Sequence, residues 1–308
     1  YREAGSVSAD RRPEPLRIEL LGGFRVTCGA REIPGDGWRL AKARSLVKIL
    51  ALAPGQSLLR DQLIELLWPE LDPEAGANNL HQVLHVARRT LAGLVPGTKP
   101  NAIIRLRRGV LSLDPPTPLW VDVAAFERRA AELASSSDPA DFYPALDLYR
   151  GDLLPDDLYE EWAADRRTAL RELYLDLLDR LAVLHAERRE ATPAIDALRR
   201  LVAIEPDREE AHRALMELYA LTGRRQQALR QFERVREILE RELEIEPEPE
   251  TDELYAAIMS GDYPTETWET EVPPDPVAAP RPEITESIAE FLGRAGDFVG
   301  RGEELGKL

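Results

Sequence analysis

The sequence predicts an α-rich, two-domain protein: a mixed α+β domain at residues 16–115, then an all-α domain at 119–262. Residues 16–28 and 102–113 alternate apolar and polar side chains as strands do, and three segments of helical period lie between them. From about residue 121 to 260 the apolar period is helical almost throughout. A length of 308 residues fits two domains.

The elements of the first domain follow one another in a recognisable order. Two alternating runs separated by Gly22 and Gly23 predict a small antiparallel sheet, and a strand pair turning at Arg107, Arg108 and Gly109 predicts a hairpin. Between them, helices are expected from Leu40 to Pro54, from Ser57 to Trp68, and over 74–92. Sheet, three helices and hairpin are the elements of a winged helix-turn-helix.

The second domain carries an internal repeat. A shift of 34 residues superposes Leu181 on Leu215, Leu184 on Leu218, and Leu198 on Phe232. This period of paired helices is typical of tetratricopeptide arrays, in which neighbouring pairs stack and expose a groove. The predicted fold class is therefore a winged helix-turn-helix followed by an all-α, tetratricopeptide-like domain.

The flanking segments differ in composition. Residues 1–15 are polar and predict a flexible N-terminus, and residues 263–292 predict an acidic, proline-rich linker. Residues 293–308 read as the start of a truncated downstream module. No apolar run is long enough for a membrane span, no signal-peptide core is present, and Cys28 is the single cysteine. These features predict a cytoplasmic protein without a membrane partner.

Charge is divided unevenly along the chain. The whole sequence has a net charge of −16, yet residues 1–115 hold 17 Lys and Arg against 12 Asp and Glu, a net of +5. Residues 116–308 carry a net of −21. Only the basic part approaches a phosphate backbone at low electrostatic cost, so double-stranded DNA is the partner expected for the first domain.

The third helix supplies the candidate base-reading residues. Its apolar residues Leu80, Val83, Leu84, Ala87 and Leu91 form one stripe that must face the core. Amides and arginines suit the edges of adenine and guanine, which gives the candidates Asn78, Asn79, Gln82, His85 and Arg89. Other basic side chains are candidates for contacting the DNA backbone. They lie near helix starts (Lys42, Arg44, Arg60), on the third helix (His81, Arg88) and on the wing hairpin (Arg105, Arg107, Arg108).

Each of these assignments has a plainer alternative. Any exposed helix face is polar, and a hairpin tip with arginines is also an ordinary solvated turn. Trp68 and Trp162 are expected to pack in the core or an interface rather than stack on bases. His81 and His85 have the i, i+4 spacing of metal ligands, but no cysteine or acidic residue joins them, so no metal site is expected.

Enzyme motifs are missing from the sequence. It contains no GxxxxGK[S/T] phosphate loop, no GxSxG and no HExxH. We therefore expect no catalytic residues, no enzymatic activity and no cofactor in this chain. ATP would bind only in a module beyond residue 308.

Three motifs follow one another along the sequence. The first is Trp68-Pro-Glu-Leu-Asp-Pro before Ala77-Asn-Asn-Leu-His-Gln; the second is Tyr149-Arg-Gly-Asp-Leu-Leu154; the third is Glu242-Leu-Glu-Ile-Glu-Pro-Glu-Pro. In this order the three motifs resemble the SARP-type bacterial transcriptional activators, and the resemblance covers about residues 16–260. It implies an OmpR-like winged helix followed by a bacterial transcriptional activator domain. It further implies binding to promoter repeats, a homodimer on DNA, and contact with RNA polymerase or its sigma factor.

The resemblance has one departure and one extension. OmpR-like wings commonly carry Gly-Tyr after the tip, whereas here Gly109 is followed by Val110 and Leu111. At the other end of the chain, Phe298-Val-Gly-Arg301 resembles the entry to an AAA/STAND-type ATPase module of larger family members.

The sequence leaves alternatives open for function and for domain coupling. The leading hypothesis for the function is a DNA-binding activator. The other two hypotheses are a protein-interaction scaffold and the front end of an ATP-driven signalling switch. The basic domain is expected to fold and bind DNA alone. The competing expectation is that the helical domain packs on it through Leu119, Trp120 and Phe126.

Overall fold

The N-terminal part of the protein is built on a four-stranded sheet. A computed structural model describes residues 14–265. In it, β1 (Leu16–Glu19), β2 (Arg25–Cys28) and β3 (Arg31–Glu32) pair in antiparallel fashion, and β7 (Leu119–Val121) pairs parallel to β1. The strand order is β3-β2-β1-β7. This sheet therefore extends beyond the expected domain end at residue 115.

Three helices and a second sheet follow β3. The helices are α1 (Ala41–Leu52), α2 (Arg60–Leu67) and α3 (Pro73–Leu94). The second sheet consists of β4 (Ser57–Leu59), β5 (Ile104–Arg107) and β6 (Val110–Leu113) in the order β4-β6-β5. The expectation of helix directly after Ser57 was wrong for Leu58 and Leu59, because Ser57–Leu59 pair with β6 before α2 begins.

The turn between α2 and α3 is fixed by local chemistry. The Asp72 carboxylate accepts hydrogen bonds from the backbone N–H groups of Glu74 (3.0 Å) and Ala75 (2.9 Å), and so caps the N-terminus of α3. Pro73 occupies the first turn, where it costs no hydrogen bond. Gly76 lets the two helices approach closely, since a Cβ there would overlap the Ile64 Cγ2 methyl group.

The C-terminal part is helical. Its helices are α4 (Asp122–Glu132), α5 (Tyr143–Leu146), α6 (Ala164–Glu187), α7 (Ala191–Ile204), α8 (Glu209–Leu221), α9 (Arg225–Ile238) and α10 (Pro249–Ser260). A π-helical turn, Leu239–Leu243, extends α9. The pairs α6/α7 and α8/α9 pack side by side, and α7 and α9 begin 34 residues apart, as the sequence repeat requires.

A buried carboxylate joins the two parts of the chain. Asp122, at the start of α4, accepts hydrogen bonds from the backbone N–H groups of Leu20 (2.7 Å) and Leu21 (2.8 Å) at the end of β1. Its second oxygen accepts from the N–H of Val123 at 2.8 Å. Burial raises the pKa of Asp122, and these three N–H donors oppose that rise.

A buried lysine makes a second junction between the parts. The Lys48 side chain on α1 is 1% exposed, and its ammonium pairs with Asp157 in the loop between α5 and α6. The ammonium also lies 4.9 Å from the centre of the Phe24 ring. Arg167 of α6 holds the same loop by donating to the carbonyls of Leu153 (2.8 Å) and Asp157 (3.1 Å).

Apolar packing is continuous across this junction. One core cluster contains buried side chains from Leu16 in β1 to Ile258 in α10, including the fully buried Phe126, while Leu119 packs against its edge. The structure therefore favours the expectation of two tightly packed domains over that of an independent N-terminal domain. Trp68 and Trp162 pack against the same core, as the sequence predicts. The expected linker from residue 266 onward, the downstream module and residues 1–13 lie outside the described residues.

Candidate nucleic-acid interface

Helix α3 has the two faces that its periodicity predicts. Leu80, Val83, Leu84, Ala87 and Leu91 are all buried. On the opposite face the candidates Asn78, Gln82, His85 and Arg89 are exposed. These four residues recur at the spacing of one helical face, so their side chains form a single polar surface.

Two other candidates on α3 are half-buried. Asn79 flanks the exposed face, and Arg88 turns toward the wing, where its Nε donates to the Ile104 carbonyl of β5 at 2.8 Å. Burial lowers the pKa of the Arg88 guanidinium from its ordinary value. Arg88 therefore joins the candidate recognition helix to the base of the wing.

The wing hairpin turns at two residues with left-handed backbone. Arg108 has φ +50° and Gly109 has φ +81°, the pattern of a tight turn that matches strand twist. Arg107 and Arg108 are exposed at this tip. The Gly109 carbonyl accepts from the backbone N–H of Arg60 at 2.8 Å, so the tip is fastened to the start of α2.

The remaining arginine of the wing is engaged within the domain. Arg105 makes an ion pair with Asp114 at 2.9 Å, and its Nε lies 3.4 Å from the Ala102 carbonyl. Its charge is thereby partly neutralised before any phosphate approaches.

The candidates near helix starts, Lys42, Arg44 and Arg60, differ in what surrounds their side chains. The side chains of Lys42 and Arg60 are half-buried. Arg44, one turn before Lys48 on α1, instead lies 3.9 Å from Asp157 of the helical domain. The structure thus brings Arg44 to the domain junction and ties Arg60 to the wing.

His81 and His85 are both exposed on α3, and the Nδ1 of His81 lies 3.2 Å from the Ala77 carbonyl. Within residues 14–265, no group of three or more His, Cys, Asp or Glu side chains is placed to hold a metal ion. In the same range, no helix is long and apolar enough to cross a membrane.

Sequence reasoning missed the two buried charged residues that join the N-terminal part to the helical part. Lys48 interrupts the apolar run Leu46-Val-Lys-Ile-Leu50, and a lysine within a buried stripe is the signal of an internal ion pair. Asp122 carries no comparable signal, because its partners Leu20 and Leu21 lie about 100 residues earlier in the chain.

The helical part matches a known family. Residues 121–259 match the family Bacterial transcriptional activator domain. Regulatory protein AfsR of Streptomyces coelicolor is 27% identical over 301 residues, which cover 96% of this chain and 29% of that protein. Regulatory protein DnrI of Streptomyces peucetius is 28% identical over 232 residues, covering 72% of this chain and 85% of DnrI. The chain thus spans under a third of AfsR.

A solved structure shares the fold. Mycobacterium tuberculosis EmbR, in complex with a low affinity phosphopeptide, aligns with a TM-score of 0.62 at 24% identity over 80% of this chain and 66% of that one. At this identity the likeness concerns the fold alone, and it confirms the predicted fold class.

The family match covers the helical part, and the named relatives are regulatory proteins. These findings confirm the resemblance to the SARP-type transcriptional activators that the sequence shows.

Proposed function

We propose that this chain is a sequence-specific, DNA-binding transcription activator. The observation that carries the proposal is the exposed face of α3, where Asn78, Gln82, His85 and Arg89 stand opposite a fully packed stripe. A helix of this kind fits the major groove, and its amide and guanidinium groups match base edges there.

The wing supplies the second half of the proposed interface. Arg107 and Arg108 are exposed at a tip that is fixed to α2 through the Gly109 carbonyl. A fixed, basic hairpin beside the recognition helix suits contact with the phosphate backbone, which contributes affinity without base preference. The net charge of +5 over residues 1–115 favours the same approach.

Replacing Arg89 with Ala should weaken binding to the preferred site by about 1–3 kcal/mol and flatten base preference at one position. The cause is loss of a bidentate contact to a guanine edge. Binding-site selection on the full chain, followed by a gel-shift titration, measures both effects. Arg230→Ala, which removes an exposed arginine of α9, is the control and should leave site selection unchanged. Equal weakening on all sequences would assign Arg89 to phosphate, and unchanged binding would remove it from the interface.

Replacing both Arg107 and Arg108 with Ala should weaken binding to specific and random duplexes alike. Two phosphate contacts are lost, so the slope of log affinity against log salt concentration should become shallower by about two. Fluorescence anisotropy at four salt concentrations measures the slope. The matched control is Arg128→Ala with Arg129→Ala, two adjacent exposed arginines on α4. An unchanged slope with altered base preference would contradict phosphate contact and indicate reading of the minor groove.

The helical domain is proposed to act on other proteins. Its part of the chain carries a net charge of −21 over residues 116–308, which opposes contact with DNA. We infer contacts with RNA polymerase or its sigma factor, and with a second protomer when two copies occupy promoter repeats. Transcription in vitro with purified polymerase tests activation, and gel shifts on one and two half-sites test pairing. A chain that selects no DNA sequence yet retains protein partners would favour the scaffold hypothesis instead.

A further inference from the structure

A groove of about 880 Å³ opens at the C-terminal end of the helical domain. Its floor is formed by the rings of Phe232 on α9 and Tyr255 on α10, which stack with centroids 4.1 Å apart and planes 20° from parallel. Ile245, in the segment between the π-helical turn and α10, lines one wall with 52% of its surface exposed. Because Phe232 is buried, the groove presents the half-buried Tyr255 and the exposed Ile245 to solvent.

The segment that carries Ile245 is anchored on both sides. The Ile245 N–H donates to the Leu239 carbonyl at 3.3 Å, and the Glu248 N–H donates to a carboxylate oxygen of the buried Glu209 at 2.7 Å. Arg213 of α8 then binds the Glu248 carboxylate at 2.5 Å and the Thr251 hydroxyl at 3.1 Å. Because these bonds fix the backbone, the exposed apolar surface is preformed, which lowers the entropy cost of binding a partner.

The rim of the groove is acidic and unneutralised. Glu240, Glu244, Glu246 and Asp252 line it, and within residues 14–265 none of the four makes an ion pair of 4 Å or less with Lys, Arg or His. Arg236, the basic residue of the lining, pairs with Glu233 instead. The Arg236 guanidinium also lies over the Phe232 ring, 5.9 Å from its centre. The four acidic side chains repel nucleic acid and attract the Lys or Arg side chains of a partner.

We propose that this groove binds a basic, amphipathic segment of a partner protein. Apolar side chains of that segment pack on Tyr255 and Ile245, while its lysines or arginines contact the four rim carboxylates. The apolar lining and the acidic rim together favour this occupant. The groove is formed by α9, α10 and the segment between them, apart from the residues proposed to read DNA, so either proposal can fail without the other.

The test uses the full chain and a fluorescein-labelled, 14-residue amidated peptide of lysine and leucine with leucines at helical i, i+3, i+4 and i+7. The variant Glu244→Gln/Glu246→Gln/Asp252→Asn should weaken binding at least tenfold, measured by anisotropy at 150 mM salt. Ile245→Ser, which removes the apolar wall alone, should weaken binding at least threefold. A peptide with serine in place of every leucine should bind at least tenfold more weakly to the unaltered chain.

The matched control is Glu132→Gln/Asp147→Asn/Glu172→Gln, which removes three exposed carboxylates elsewhere in the helical domain. Binding to this control should stay within twofold of the unaltered chain. If both triple variants lose the same amount of peptide affinity, the effect comes from the net charge of the protein and not from the groove, and the proposal is overturned. If the serine peptide binds as tightly as the leucine peptide, the groove recognises charge alone. Complete displacement of the leucine peptide by spermine, at the same concentration of positive charge, would lead to the same conclusion. Either result would indicate a site for small cations and would overturn the proposal. Self-association that is lost in the groove variant would make a second copy the occupant, which also overturns the proposal.

Discussion

Replacing Asp157 with Asn should lower the free energy of unfolding by about 3–5 kcal/mol, the usual cost of removing one partner from a buried ion pair. Lys48 is 1% exposed, and Asp157 is its anionic partner across the domain junction. Without that carboxylate the ammonium is left buried, where desolvation strongly disfavours its charge. Urea denaturation followed by circular dichroism measures the change.

Two further variants isolate the cause of this loss. Asp156→Asn removes the neighbouring exposed carboxylate and should change stability by less than about 0.5 kcal/mol. The double variant Lys48→Met/Asp157→Asn buries no ammonium and should regain at least half of the loss. If the double variant is no more stable than Asp157→Asn, the effect comes from the loop backbone and not from the ion pair.

The pH dependence of the Asp157→Asn variant has a defined sign. Burial lowers the pKa of Lys48, and the hydrogen bond and charge of Asp157 oppose that lowering. Without Asp157 the folded-state pKa falls further below the unfolded value of about 10.4. The unfolded chain then binds more protons between these two values, so stability should rise with pH until the unfolded pKa is passed. Stability that is flat or falls toward pH 10 would contradict a buried ammonium.

Replacing Asp122 with Ala should destabilise the protein by about 2–5 kcal/mol. The substitution leaves the N–H groups of Leu20 and Leu21 without their acceptor in a buried position, and each such group costs about 1–3 kcal/mol. Thermal and urea unfolding measure the loss. Asp36→Ala removes an exposed carboxylate from the same part of the protein and should change stability by less than about 0.5 kcal/mol.

The Asp122 variant also has a characteristic pH profile. Because burial raises the folded-state pKa of Asp122 above the unfolded value, the folded chain binds more protons in the interval between them. The stability of the unaltered protein relative to Asp122→Ala should therefore fall as the pH rises from about 3.9 through the folded-state pKa, and then level off. A difference that grows over this interval would show that the three N–H donors outweigh desolvation.

Patterns confined to one element were predictable from the sequence. The buried stripe of α3, from Leu80 to Leu91, follows from helical periodicity, and the wing tip at Arg108 and Gly109 follows from turn chemistry. Neither depends on where the rest of the chain lies. For this reason the exposed face of α3 was also predictable, as the complement of the stripe.

Contacts between distant segments were not predictable in the same way. Strand β7 is three residues long, and its partner β1 precedes it by about 100 residues, so no local pattern marks the pairing. Arg44 and Arg88 look like surface cations in the sequence, yet Arg44 faces Asp157 and Arg88 donates to the Ile104 carbonyl. Which arginines stay available to a phosphate is decided by tertiary packing.

The parallel pairing of β1 with β7 has a consequence for synthesis of the chain. Strand β1 emerges from the ribosome about 100 residues before its second neighbour β7, a delay of about 5–20 s at ordinary rates of translation. During that interval one edge of the nascent sheet has unpaired backbone groups, which invite pairing with other chains. Slow translation between β1 and β7 should therefore increase aggregation of nascent chains, whereas slowing after β7 has left the ribosome should have a smaller effect.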